Sequence, residues 1–170
     1  MLVIRRERRR DFLGIRKVNE SAFSGPVEAR LVELLREANK AIVSLVATLD
    51  DRVVGQVMFS PIIIELNPKH ARGLGLAPLA VLPKHQRRGI GTKLVVRGIE
   101  ECREEGYDIV VVLGEEPFYS RFGFKRASIY GLNNEYNADE NFMVLELKGD
   151  TLRFTGGLVK YQPEFRRVGA

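Results

Sequence analysis

The stretch "DIVVVLG", residues 108–114, is the feature that most constrains the fold. Its short, uninterrupted apolar run reads as a central strand buried on both faces of a sheet. A helical pattern precedes it, from about Ile90 to Glu105. Ile90, Leu94, Val95, Ile99 and Cys102 recur on one side, while Lys93, Arg97, Glu101 and Arg103 face the other way. Arg97 and Glu101 have the spacing of a weak ion pair, and Gly106 stops the helix. Before the helix lies "GLGLAPLAVL", residues 73–82, an apolar strand with Pro78 inside it. Proline donates nothing to a ladder, so this strand is expected to be bulged or unpaired there.

The flanks of this strand–helix–strand core follow other periods. "LVIRR" reads as a first strand, and Asp11 as the cap of a helix over "DFLGIRKVNESAF" with Phe12, Ile15, Val18 and Phe23 roughly on one face. Val27, Leu31, Leu34 and Leu35 mark a second helix in "VEARLVELLREAN". "AIVSLVATL" and "RVVGQVMFSPIIIEL" are rich in β-branched residues, and the "DD" between them predicts an antiparallel hairpin. "EEPFYSRFGF" reads as a short helix ended by Gly123, and "FMVLEL" and "LVKYQPEF" as late strands. The mixed order predicts an α/β sheet with helices on both faces. No low-complexity linker or repeat divides the 170 residues, so residues 1–170 are read as a single domain.

Composition narrows the function classes. No run approaches the roughly 18 consecutive apolar residues of a membrane span, and the N-terminal apolar stretch is too short for a signal peptide. A single cysteine, Cys102, excludes an intrachain disulfide and argues against a cysteine-based metal site. The expectation is a cytoplasmic protein. His70 and His85 lack metal-ligand spacing and are read as surface residues, so no metal is expected. The net charge of +5 permits anionic ligands without demanding them.

"VLPKHQRRGIGTKL", residues 81–94, joins the apolar strand to the helix. Three readings fit the bare loop: a basic patch for nucleic acid, a solvated turn, or a cradle for a phosphorylated cofactor. For the cradle, the first helical turn offers amide N–H groups without helical acceptors and a partial positive charge. Glycines let phosphate oxygens reach the backbone. Gln86, Arg87 and Arg88 surround that entrance with donors and charge.

"LAVLPKHQRRGIGTKLV", followed about thirty residues on by "FYSRFGF", resembles the GCN5-related N-acetyltransferase (GNAT) superfamily. "EARLVELLR" and "FSPIII" further resemble a bacterial subgroup of predicted acetyltransferases. The resemblance implies a mixed, mostly antiparallel central sheet with a splayed central strand pair and helices on both faces. It implies acetyl-CoA as cosubstrate and an amine, on a small molecule or peptide, as acceptor. Leu79, Ala80 and Val81 correspond to the strand that pairs with the pantetheine arm. Arg87, Arg88, Gly89, Ile90, Gly91 and Thr92, with Gln86 at the edge, correspond to the pyrophosphate loop. Tyr119 corresponds to a frequent catalytic tyrosine near the thioester sulfur, a general acid. Many members carry a glutamate base on or near the strand before the loop; "GLGLAPLAVL" contains no acid, which leaves the base and the acceptor class open.

Read without the family, Tyr119 is a partly buried aromatic beside Phe118 and Phe122, and Glu65, Glu115 and Glu116 are solvated charges. Glu28 is a first-turn acid of the second helix and Cys102 is packed core. Two rival functions remain. One is a CoA-binding regulatory domain without turnover, because a cofactor loop does not guarantee catalysis. The other is a nucleic-acid-binding module supported by "RRERRR". Against it, Glu7 interrupts the arginines and no aromatic–basic interleaving marks a stacking platform. The expected partners therefore include neither nucleic acid nor membrane, and the chain is expected to be a monomer or homodimer.

Overall fold

The computed structural model describes residues 1–170 apart from Pro68, Lys69 and Thr155. In chain order the elements are β1 (Leu2–Arg6), α1 (Phe12–Phe23), α2 (Val27–Glu37), β2 (Val43–Leu49), β3 (Arg52–Pro61), β4 (Ile63–Glu65) and β5 (Gly73–Val81). Then come α3 (Ile90–Glu104), β6 (Ile109–Leu113), α4 (Glu116–Tyr119), β7 (Lys125–Arg126), β8 (Leu132–Asn134), β9 (Phe142–Glu146), β10 (Gly157–Lys160) and α5 (Pro163–Val168). Among the described residues, seven strands hydrogen-bond in the order β1-β2-β3-β5-β6-β9-β7 and three more in the order β4-β10-β8. The expected mixed, mostly antiparallel α/β architecture is what forms. The chain divides into two compact units: Met1–Ser60, Ala77–Glu101 and Pro163–Ala170 make the first, and Pro61–Leu76 and Cys102–Gln162 the second.

In the first unit, β1 and β3 flank β2 in antiparallel register, Leu2 opposite Leu49 and Val43 opposite Phe59. The hairpin turns at Asp50 and Asp51, both at positive φ (50° and 66°). Two successive left-handed residues match the twist of the flanking strands. Leu35, Leu45, Val57, Phe59, Leu94 and Val95 are fully buried. α1 buries Ile15 and Val18, but Phe23 is exposed, and Phe12 is half-buried with the Arg36 guanidinium 3.8 Å over its ring. Asp11 stands at the start of α1 without capping it. Its carboxylate instead accepts from Arg5 and from the Arg8 amide, and the Arg5 hydrogen bond holds it below the usual carboxylate range.

Glu101 is a clearer departure. The helical pattern places it among solvated charges, yet it is only 6% exposed. It pairs with Arg6 on β1 and with Arg97 one turn earlier. A buried carboxylate between two guanidinium groups satisfies the rule that such charges persist only when paired. A helical pattern cannot reveal a partner ninety-five residues away.

α3 lies tightly over β3. A Cβ on Gly98 falls 2.4 Å from Phe59 Cε1. Glycine to alanine within a helix ordinarily stabilises by up to about 1 kcal/mol. Here overpacking reverses the sign, and Gly98→Ala is expected to destabilise by about 1–3 kcal/mol in chemical denaturation. A neutral or stabilising result would show that Phe59 moves aside freely.

In the second unit, β5 and β6 run parallel from Gly73–Ile109 to Leu76–Val112, and β5 continues to Val81. β9 pairs antiparallel with β6 and with β7. Ile109–Val112 are buried throughout, as an all-apolar central strand requires. The stretch read as one strand over residues 52–66 is in fact two. Pro61 ends β3, and Ile63–Glu65 join the smaller sheet beside β10. Proline has no N–H to carry the ladder onward. "LVKYQPEF" likewise divides: Gly157–Lys160 are strand, while Pro163 opens α5 in the first unit. Proline at a helix start costs nothing because that N–H has no helical acceptor. No helix among the described residues is long and apolar enough to cross a membrane.

Candidate cofactor cradle and candidate catalytic tyrosine

The first unit brings Leu79–Val81 and residues 86–92 together. β5 ends at Val81, and Leu82 N–H donates to Val54 O at 2.9 Å, tying the strand's exit to β3. A single 3₁₀ turn, Pro83–His85, reverses the chain. Gln86 Nε2 then donates to Val81 O at 3.0 Å, so Gln86 braces the loop against the strand. Arg87 takes φ 62° and Gly89 φ 83°. Positive φ at a non-glycine residue is uncommon and carries a conformational cost. The two kinks swing the chain directly into α3. Its first helical bond beyond the loop runs from Lys93 N–H to Gly89 O at 3.1 Å, and the amides of Ile90 and Gly91 lie ahead of it.

A Cβ built on Gly89 meets nothing within 4 Å. The space over this glycine is therefore open rather than filled by neighbouring side chains. A Cβ built on Gly55 would fall 3.0–3.3 Å from Leu94 Cδ1, Ala80 O and Ile90 Cγ2, so the bare glycine lets the strand end and helix start lie close. Arg87 and Arg88 are exposed on the loop. The unit around them holds 18 Lys and Arg against 11 Asp and Glu, a net charge of +7. An open glycine, helix-start amides and surplus positive charge suit an anionic, phosphate-bearing group. His85, read as a surface residue, has its Nδ1 buried without a hydrogen-bond partner.

Tyr119 belongs to the second unit. Gly114 ends β6, Glu115 O accepts from the amides of Phe118 and Tyr119, and a 3₁₀ turn closes at Gly123 with φ 98°. The Tyr119 ring packs edge-on to Phe118 (4.9 Å) and Phe124 (5.6 Å) and lies 6.4 Å from Phe122. It is 8% exposed, and burial pushes its hydroxyl up to about 12. The ring lies so close to the strand end that a Cβ on Gly114 falls 2.2 Å from Tyr119 Cε2. Gly114, at the close of "DIVVVLG", is the residue whose missing side chain makes room for the Tyr119 ring, and no periodicity in the sequence signals that contact.

Glu65 pairs with Lys160 at 2.8 Å, and Glu115 and Glu116 are exposed. Glu28 is a first-turn acid of α2, as expected, and Cys102 is fully buried. No group of three or more His, Cys, Asp or Glu among the described residues is arranged to hold a metal.

Comparison with known proteins places these features in a family. The acetyltransferase (GNAT) domain family matches residues 3–127. An uncharacterised N-acetyltransferase of Escherichia coli, YhbS, is 38% identical over 168 residues, covering 98% of this chain and 99% of its own. The crystal structure of E. coli YhbS in complex with CoA superposes with a TM-score of 0.90, covering 98% of this chain and 92% of that one. A Brucella melitensis GNAT acetyltransferase in complex with acetyl-CoA gives 0.79 at 35% identity, covering 97% and 98%. On the domain match and on identity over nearly its whole length, the chain belongs to the GNAT family of acetyltransferases.

Proposed function

We propose that this protein is an acetyl-CoA-dependent N-acetyltransferase in which residues 1–170 act as one catalytic domain. The observation that carries the reading is the open glycine at the start of α3, where a Cβ on Gly89 would meet nothing within 4 Å just ahead of the first helical bond from Lys93 N–H to Gly89 O. Two solved relatives hold CoA or acetyl-CoA, which supports the same cosubstrate here. When bound, acetyl-CoA supplies the activated acyl group as a thioester. Arg87 and Arg88 and the first-turn amides bind its diphosphate, and Gly89 leaves room for the oxygens. The backbone of Leu79–Val81 orients the pantetheine arm, and an N–H near Val81 stabilises charge developing on the acyl oxygen.

Tyr119 holds the proton for the departing sulfur. At its ordinary pKa of about 10, giving a proton to a thiolate of pKa near 8.5 is uphill by about 2 kcal/mol. At about 12 the gap is some 3.5 units, or about 5 kcal/mol. The burial that disfavours a phenolate disfavours a thiolate leaving the same apolar surroundings, so the gap contracts during the reaction. What the high value secures is the protonated state at neutral pH.

Isothermal titration tests the binding half of this reading. Acetyl-CoA and CoA are expected to bind with similar affinity and dephospho-CoA more weakly. Free-thiol release across an amine panel tests the transfer half. Binding without release under any amine would favour a regulatory CoA-binding domain; no binding at millimolar CoA would overturn the assignment.

A further inference from the structure

The first unit carries a second basic feature, apart from the cradle. A groove of about 1560 Å³ runs between α1, the β2–β3 hairpin and the Pro83–His85 turn. Every residue lining it belongs to the first unit. Its walls are held at fixed points. A Cβ on Gly14 falls 3.0 Å from the Val53 side chain, so α1 lies directly on β3. Leu82 N–H donates to Val54 O at 2.9 Å, so the turn is tied to the same strand. The lining stops at His85, and none of residues 86–92 is part of it.

Charge sets the groove apart. Arg10 lines it from just before α1, Lys17 from α1, Arg52 from the start of β3 and Lys84 from the turn. All four are exposed, and among the described residues their side chains form no hydrogen bond or ion pair. The acids on the same walls are largely taken up. Asp11 is held by Arg5, and Glu20 lies 3.8 Å from Arg16; neither partner lines the groove. Of the two hairpin acids, Asp50 meets the terminal ammonium at 2.9 Å, and Asp51 remains. His85 adds an unmet polar atom on the turn, its Nδ1 buried without a partner. Native structures leave few such atoms unsatisfied. Between the charges the lining is apolar, with Val18 and Val54 buried.

We infer that this groove is a second anion site, separate from the CoA cradle, and that it takes an oligophosphate chain. A single phosphate meets one or two cations, whereas a chain of three spreads its charge to cations arriving from α1, β3 and the turn. Guanidinium groups add paired N–H donors that match phosphate oxygens. The volume exceeds the roughly 300–1,000 Å³ of ordinary small-molecule sites, so a nucleoside attached to the chain is accommodated as well.

Isothermal titration with tripolyphosphate, without divalent cations, tests the site. At about 0.15 M ionic strength, exposed charges more than about 8 Å apart are screened, so diffuse attraction to a basic surface contributes little. One equivalent is expected to bind, and to bind equally when CoA saturates the cradle. Citrate, which carries its charge on carboxylates, should bind at least tenfold more weakly. ATP binding more tightly than tripolyphosphate identifies a nucleotide as the source of the chain; equal or weaker binding identifies the free chain. Lys17→Glu combined with Arg52→Glu should weaken tripolyphosphate at least tenfold while CoA affinity and melting temperature hold. Arg88→Glu, on the cradle loop, should do the reverse: CoA weakens and tripolyphosphate stays within threefold. No saturable binding at millimolar tripolyphosphate, displacement by CoA, citrate binding as tightly, or wild-type affinity in the Lys17→Glu, Arg52→Glu variant each overturns the site. The variant comparison reads the groove whether or not CoA binds, so the site and the transferase reading fail separately.

Discussion

Tyr119→Phe is expected to lower turnover with the best acceptor by about 10²–10⁴, the range for a lost general acid, with the lower end favoured because water replaces part of the function. Acetyl-CoA affinity should change by less than about threefold, or roughly 0.7 kcal/mol. The substitution keeps the ring and its edge contacts with Phe118 and Phe124, and so preserves the packing. It removes a hydroxyl that burial holds protonated, so the melting temperature at neutral pH should hold. Because the folded-state value is raised to about 12 from 10, both folded and unfolded states carry the proton below pH 10. Between those values the unfolded chain loses it first, and the stability gained from burying a neutral phenol declines as pH rises. The wild-type rate should accordingly show no falling limb from Tyr119 below pH 10. Turnover within twofold of wild type, especially with a lowered melting temperature, would leave Tyr119 a core aromatic and nothing more.

Gly89→Val should weaken acetyl-CoA binding at least tenfold, about 1.4 kcal/mol. Nothing in the free protein occupies the space a Cβ enters at this position. The loss in affinity therefore reports what the bound group needs there. The φ of 83° adds a second consequence, since a β-branched residue is strained in that region. A fall in melting temperature is expected, by an amount matching about 1–3 kcal/mol. Gly89→Ala separates the two contributions, because its smaller side chain is less strained yet still covers the amides. Titration of both variants with CoA decides the matter: unchanged affinity in both means the loop is not the cradle.

What the sequence made legible was local. A five-residue apolar run, an amphipathic helix and a glycine loop each carry their structure in their own spacing. The central strand and the helix after the loop could be read from them. The strand divided at Pro61 was misread because β-branched residues continued past a residue whose missing N–H ends the ladder. Glu101 was misread because burial there depends on Arg6, which a helical period does not register. Tyr136 and Tyr161, whose rings lie 5.9 Å apart, are brought together from separate stretches by the pairing of β8 with β10. A contiguous loop can be read from its own spacing, whereas tertiary juxtapositions cannot.

The close approach of Gly114 to Tyr119 ties two positions into one heritable unit. With 2.2 Å between a hypothetical Cβ and the ring, any side chain at 114 and a six-membered ring at 119 compete for the same volume. Neither position is free to drift alone. In a lineage that keeps the tyrosine, only glycine is admissible at 114. Where the ring has been lost, the constraint on 114 lifts, and larger residues there become a genetic trace of the missing aromatic.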